Sequence, residues 1–128
     1  MKPQKVGLTA VFFAFSLPMS ALGQNSVGTA GGFLKEYDTA KAPARAVLEV
    51  LIKGMVDGLG WANASLRAEG KQSPLYCEPK ELALTTSQVI DILRRQVRQS
   101  PPLASDPLGA VILASLQKVF PCTMPQSN

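Results

Sequence analysis

The sequence predicts an all-α protein, a small bundle of about three to five helices closed by one disulfide, Cys77–Cys122. Three observations carry this. Apolar residues recur at three- and four-residue steps through three long segments, which is the period of a helix. Thr85-Thr86-Ser87-Gln88 reads as a capping box directly before one of those segments. The chain has only two cysteines, and they bracket the last two of the segments. A chain of 128 residues makes one domain, small enough for a covalent staple to matter.

The N-terminus reads as an export signal over residues 1–23. Lys2 and Lys5 give a positive start, residues 6–17 (VGLTAVFFAFSL) are mostly apolar yet too short to span a bilayer, and Pro18 and Ser20 break the run. Ala21 and Gly23 supply small residues at the −3 and −1 positions, which places cleavage before Gln24. The expectation is a periplasmic protein with no stable membrane anchor after cleavage. Export with an even cysteine count favours a disulfide over free thiols. Losing Lys2 and Lys5 lowers Lys and Arg from 13 to 11 against 9 Asp and Glu, so the processed chain carries +2. Charges of both signs are interspersed. Arg94, Arg95 and Arg98 are the nearest approach to a basic block, and they read as a solvated helix face rather than a nucleic-acid site.

Residues 24–32 are rich in Gly, Ser and Thr and read as a flexible lead into a helical domain at 33–122. Phe33 to Tyr37 forms a short turn that packs Phe33 and Leu34 on the body. The first long helix begins near Pro43, with Thr39 or Lys41 before it, because proline is tolerated in a first turn. Val47, Leu51 and Met55 make one apolar stripe, and Leu48, Ile52 and Leu59 the stripe beside it, so this helix is central. Gly54 and Gly58 leave two readings open: close approach of another helix backbone, or the end of the helix at Gly58 and Gly60. Trp61 reads as a packed side chain. Residues 64–84 carry Gly70, Pro74 and Pro79 and read as a loop pinned by Cys77, with helix continuing at most to about Ala68. Asn63-Ala64-Ser65 matches a glycosylation sequon, to which little weight attaches.

The second helix starts at its N-cap Thr85, buries Val89, Leu93 and Val97, and stops at Pro101-Pro102. The third begins at Asp106-Pro107, N-cap then proline. Its apolar face includes Leu108, Val111, Ile112 and Leu116, and Pro121 ends it. Two antiparallel helices bring Cys77 and Cys122 to the same side. Closing that 45-residue loop restricts the unfolded chain by about 4 kcal/mol on the chain-entropy model. Residues 123–128 read as a tail.

The chemistry is defined by what is absent. No histidine is present, so no Ser-His-Asp or Cys-His arrangement and no imidazole ligand can form. Two cysteines alone make no structural zinc site. Glu49 and Asp57 lie two turns apart and read as a solvated edge. The expectation is therefore a protein with no catalytic residues, cofactor or metal, not an enzyme, acting by surface contact.

Tyr76-Cys77-Glu78-Pro79, the capping box with Gln88 and Val89, and Phe120-Pro121-Cys122 resemble the C-terminal half of the Tai-type immunity proteins. These are exported inhibitors of peptidoglycan amidases delivered by type VI secretion. Residues 51–58 (LIKGMVDG), with Ala62-Asn63 after them, are similar to that family's central helix, and the resemblance covers roughly residues 32–122. It implies an all-helical fold, often a homodimer, that occludes the amidase active site with a protruding loop or helix edge. Family members often carry a second cysteine pair, and the matching positions here are Tyr37 and Leu48, as expected where apolar contact replaces the bond. The partner is then a secreted peptidoglycan amidase or another envelope protein. The candidate partner-binding segment is Ser100, Pro101, Pro102, Leu103, Ala104, Ser105 and Asp106, exposed in pattern and preorganised by its two prolines, which lowers the entropic cost of binding. The alternatives are a small periplasmic chaperone or stress protein and a structural module of an envelope complex.

Overall fold

The computed structural model describes residues 26–70, 73–79 and 82–122. The expected export signal and the tail at 123–128 lie outside these residues. Four α-helices are present: α1 (Ala30–Thr39), α2 (Ala42–Glu69), α3 (Thr86–Gln99) and α4 (Leu108–Val119), with 3-10 turns at Ser26–Gly28 and Pro101–Ser105. The only extended pairing among the described residues is an isolated bridge between Thr29 and Pro107. The predicted all-α bundle with one disulfide is the observed architecture.

Each helix is delimited by local chemistry. The Thr29 side chain accepts from Gly32 N–H and caps α1. Thr39 closes that helix, its hydroxyl donating back to the Lys35 carbonyl at 3.0 Å. Lys41 holds the N-cap position of α2 with proline in the first turn, and Gly70 ends the helix in the left-handed region at φ 62°. The capping box of α3 is complete: Gln88 N–H donates to Thr85 Oγ1, and Thr85 N–H donates to Gln88 Oε1 at 2.8 Å.

Phe33 of α1, Ile52 of α2, Leu93 of α3 and Leu116 of α4 are wholly buried together. Each such side chain contributes about 1.5–3 kcal/mol relative to exposure. Ser115 is the one buried hydroxyl of α4, and it donates to the Val111 carbonyl one turn back at 2.6 Å.

Several expectations are corrected. Residues 26–32 are not a frayed lead: they form a 3-10 turn, the cap and the first turn of α1. The short turn at Phe33 to Tyr37 is the middle of a ten-residue helix. α2 does not end at Gly58 or Gly60 but runs 28 residues, about 42 Å, to Glu69, so the first part of the expected 64–84 loop is helix. Three glycines, Gly54, Gly58 and Gly60, cost about 1 kcal/mol each in the helix interior, and the packing of Val56, Leu59 and Asn63 on the same rod outweighs them. Among the described residues nothing lies within 4 Å of a Cβ added at Gly54 or Gly58, so no other described helix approaches them. The buried stripe of α2 runs through Leu48 and Ile52, while Val47 is 69% exposed. Trp61, expected to pack, is 76% exposed. The third helix starts at Leu108 with Pro107 as its cap residue. No side-chain hydrogen bond caps it, and the Asp106 carbonyl instead accepts from Ala30 N–H at 3.0 Å.

Candidate functional site

The segment Ser100 to Asp106, the candidate partner-binding segment of the sequence, is a structured turn. Its residues 101–105 form the second 3-10 helix. It is seated on α1 at Gly31, where a Cβ would come within 2.8 Å of Ala104 Cβ and 3.0 Å of the Ala104 carbonyl oxygen. Only glycine permits that approach. The Ala30 N–H to Asp106 carbonyl bond and the Thr29–Pro107 bridge fix its far end. Leu103 packs against the core from the near side. What remains outward is Pro101, Pro102, Ser105 and Asp106, all exposed. Ser100, Leu103 and Ala104 are half-buried and serve as its base. The outward residues of this ordered turn include one carboxylate, that of Asp106.

A second site lies along α2 at Asn63. Asn63 is only 4% exposed, and its amide holds the backbone of the following segment. Its Nδ2 donates to the Tyr76 carbonyl at 2.8 Å, and its Oδ1 accepts from Leu75 N–H at 2.6 Å. This imitates one rung of a β-ladder in a chain that has none nearby. Both halves of the amide are occupied, so the Asn63 sequon is closed in the folded protein. Further along, Cys77 N–H donates to the Phe120 carbonyl at 2.8 Å, and the disulfide to Cys122 spans a Cα–Cα distance of 4.9 Å. The bond joins the segment before α3 to Cys122, three residues beyond α4, as the cysteine spacing predicted.

So held, residues 73–79 and 82–85 stand off α2 and leave a groove in two adjoining parts of about 320 and 400 Å³. Val56, Leu84 and Val89 form the apolar part. Trp61, Tyr76, Glu78 and Asp57 surround the other. Burial holds the Tyr76 phenol above its ordinary value of 10.0; the Glu78 charge adds to this and Arg67 opposes it. Asn63 and this groove were missed in the sequence. The usable signal was the placement of Asn63 on the buried stripe of α2, in register with Ile52 and Leu59, where an unpaired amide would be costly.

At the junction of α1 and α2, Tyr37 and Leu48 occupy the places where the resemblance implies a cysteine pair. Leu48 is buried in the core and Tyr37 packs against it from the edge. The junction is more than apolar contact. Tyr37 Oη donates to Glu49 Oε1 at 2.8 Å, and the Arg45 guanidinium sits 4.9 Å above the Tyr37 ring. The hydrogen bond to Glu49, then burial and the Glu49 charge, raise the Tyr37 phenol above 10.0, against the pull of Arg45 and Arg94. Glu49 is thus a tie between helices rather than a solvated edge. Asp57 pairs with Lys53 on the exposed face of α2 at 2.6 Å. Of the α3 arginines, Arg94 pairs with Asp38 of α1 at 2.6 Å and with Asp91 at 3.0 Å, a structural use.

No group of three or more potential metal ligands occurs among the described residues. No described helix is long and apolar enough to cross a membrane. The described residues form a helical bundle stapled by one disulfide, with an ordered turn at 101–105. The family model for Rap1a immunity proteins matches residues 29–122, most of the chain, and the protein belongs to that family. No curated protein and no solved structure matches it.

Proposed function

We propose that this protein acts in the periplasm, where it protects its cell by binding a secreted peptidoglycan amidase delivered by type VI secretion. In this reading it covers the enzyme's active-site cleft with the turn at 100–106. Membership of an immunity family implies a protein partner that is a secreted effector, and acting by binding rather than by catalysis. The observation that carries the finer reading is the seating of the turn on Gly31. A surface that must fit a cleft benefits from being ordered before contact, because less freedom is lost on binding. The prolines at 101 and 102 and the backbone bond to Asp106 serve that end.

A homodimer is the arrangement we assign in solution. Val47 and Val50 are each 69% exposed on the outward face of the N-terminal half of α2, about three turns before Trp61. They give a second copy an apolar contact.

The test is amidase activity on purified peptidoglycan, using the effector encoded beside this protein and increasing amounts of the immunity protein. The reading expects activity to fall to zero at one equivalent. Undiminished hydrolysis at a tenfold excess overturns it.

A further inference from the structure

Four large apolar residues are exposed among the described residues, and three of them share one face of α2. Val47 and Val50 are each 69% exposed, and Trp61 is 76% exposed. At 100° per residue they fall with Gly54 and Gly58 inside an arc of about 80°, on the side opposite Leu48, Ile52 and Leu59. Pro43 and Ser65 extend the same line by a turn at each end. On one flank Lys53 and Asp57 neutralise each other at 2.6 Å, and the other flank, through Ala44, Leu51 and Ala62, carries no charge. Glycine weakens a helix interior, and among the described residues nothing comes within 4 Å of a Cβ at Gly54 or Gly58. Packing within one copy therefore does not explain a face that is apolar at both ends and bare backbone at its middle.

The order of side chains along this face is self-complementary. Val47 and Trp61 stand seven residues before and after Gly54, and Val50 and Gly58 stand four before and after it. We infer that two copies of this chain pack antiparallel along α2 and cross at Gly54. A two-fold axis there makes the contact isologous and sets large residues against small ones. Trp61 of each copy lies over Val47 and beside Val50 of the other, and Val50 lies over Gly58. The bare backbone at Gly54 lets the axes approach to about 8 Å, the close end of helix packing. Three exposed apolar side chains of each copy leave water together. The same axis brings Lys53 of each copy beside Asp57 of the other, so two ion pairs on one edge become a group of four alternating charges. A parallel pair sets each residue against itself, Trp61 on Trp61, and separates Lys53 from the second copy's Asp57. The inference rests on the homodimer reading above and gives it an interface.

The test uses the purified protein with Cys77–Cys122 intact. A contact of one helix face lies at the small end of stable interfaces, so half-dissociation is expected on the order of 10 μM. Sedimentation from about 1 to 500 μM is expected to follow monomer into dimer. Trp61 is the only tryptophan, and its emission moves to the blue in step. Val50→Lys and Trp61→Ala are each expected to weaken the dimer at least about tenfold. Unchanged melting of the dilute variants confirms that they fold. Oxidation of single-cysteine variants at dimer concentrations reads the register, with the linked peptides identified by mass. Gly54→Cys is expected to link to itself across the axis. Val47→Cys is expected to link at least about tenfold more slowly, because its two copies stand about 21 Å apart along the helices.

A monomer at about 500 μM overturns the inference and the homodimer reading together. A dimer that Val50→Lys leaves unchanged, or in which Gly54→Cys does not link, overturns the inference and leaves the homodimer to another face. Self-linking of Val47→Cys as fast as that of Gly54→Cys identifies a parallel pair and also overturns it. None of these outcomes depends on the effector, whose inhibition is measured separately.

Discussion

Asn63 is a buried polar residue with both sides of its amide in use. Its two hydrogen bonds link α2 to the backbone at Leu75 and Tyr76, beside a longer one from Arg67 to the Tyr76 carbonyl at 3.5 Å. Asn63→Ala leaves a buried N–H and a buried carbonyl without that partner, at a cost of about 2–4 kcal/mol. Thermal or urea unfolding measures it, and Asn63→Asp is expected to rescue little because the donor to Tyr76 is lost. Tyr37 is a second link, from α1 to Glu49 of α2. Tyr37→Phe keeps the ring against the core and removes the bond to Glu49, a loss of about 1 kcal/mol at neutral pH. The sign of its pH dependence follows from its raised phenol. A group whose folded value lies above its unfolded value of about 10 stabilises fully below pH 10 and loses that contribution as pH rises through the folded value. Stability is therefore expected to fall above pH 10, and to fall less steeply in Tyr37→Phe. Equal slopes for the two proteins would contradict this account of the junction.

Among the elements, α1 and the turn at 101–105 depend on each other through Gly31. A methyl group there meets backbone as well as side chain of Ala104, so the turn must shift. Gly31→Ala is expected to destabilise the protein by about 1–3 kcal/mol and to raise amide hydrogen exchange across residues 100–106. Exchange limited to α1 would show that the turn does not rest on it. The elements also show what a sequence discloses. α3 was legible because its start is set by four consecutive residues, and the capping box formed as read. α4 was legible because Pro107 and Pro121 bracket it. α2 was legible as a helix, but neither its length nor its buried side could be read. Val47 and Val50 put exposed apolar residues beside the buried Leu48 and Ile52, so periodicity alone widened the apparent stripe. Trp61 was misplaced for the same reason. Order at 26–32 was hidden because it comes from Thr29 and Ala30 meeting Asp106 and Pro107, a contact between residues far apart in the chain. The 100–106 segment was found from its prolines, while its seat on α1 was not, since Gly31 looked like part of a flexible lead.

For the molecule as a whole, one covalent bond ties the α3–α4 half into a closed unit. Cys77 and Cys122 lie 45 residues apart, so reduction frees a long loop in the unfolded chain. The expected loss is about 4 kcal/mol on the chain-entropy model, a large share of the 5–15 kcal/mol typical of a domain. Reduced protein, or a Cys77→Ser/Cys122→Ser double variant, should melt well below the oxidised form. An unchanged midpoint would mean that the helices alone define the fold. The family identity then gives this fixed shape its use. Membership of an immunity family implies an effector partner, and under the proposed reading a turn that is already ordered gives up little entropy on contact. The most direct measurement is a calorimetric titration of the neighbouring effector with the wild-type protein and with Pro102→Glu, which alters an exposed residue of the turn and leaves the core intact. The account predicts one-to-one binding in the nanomolar range for the wild type and at least about tenfold weaker binding for the variant, equal to about 1.4 kcal/mol. Binding that the substitution leaves unchanged would remove the turn from the interface, and no heat of binding to the effector would contradict the account itself.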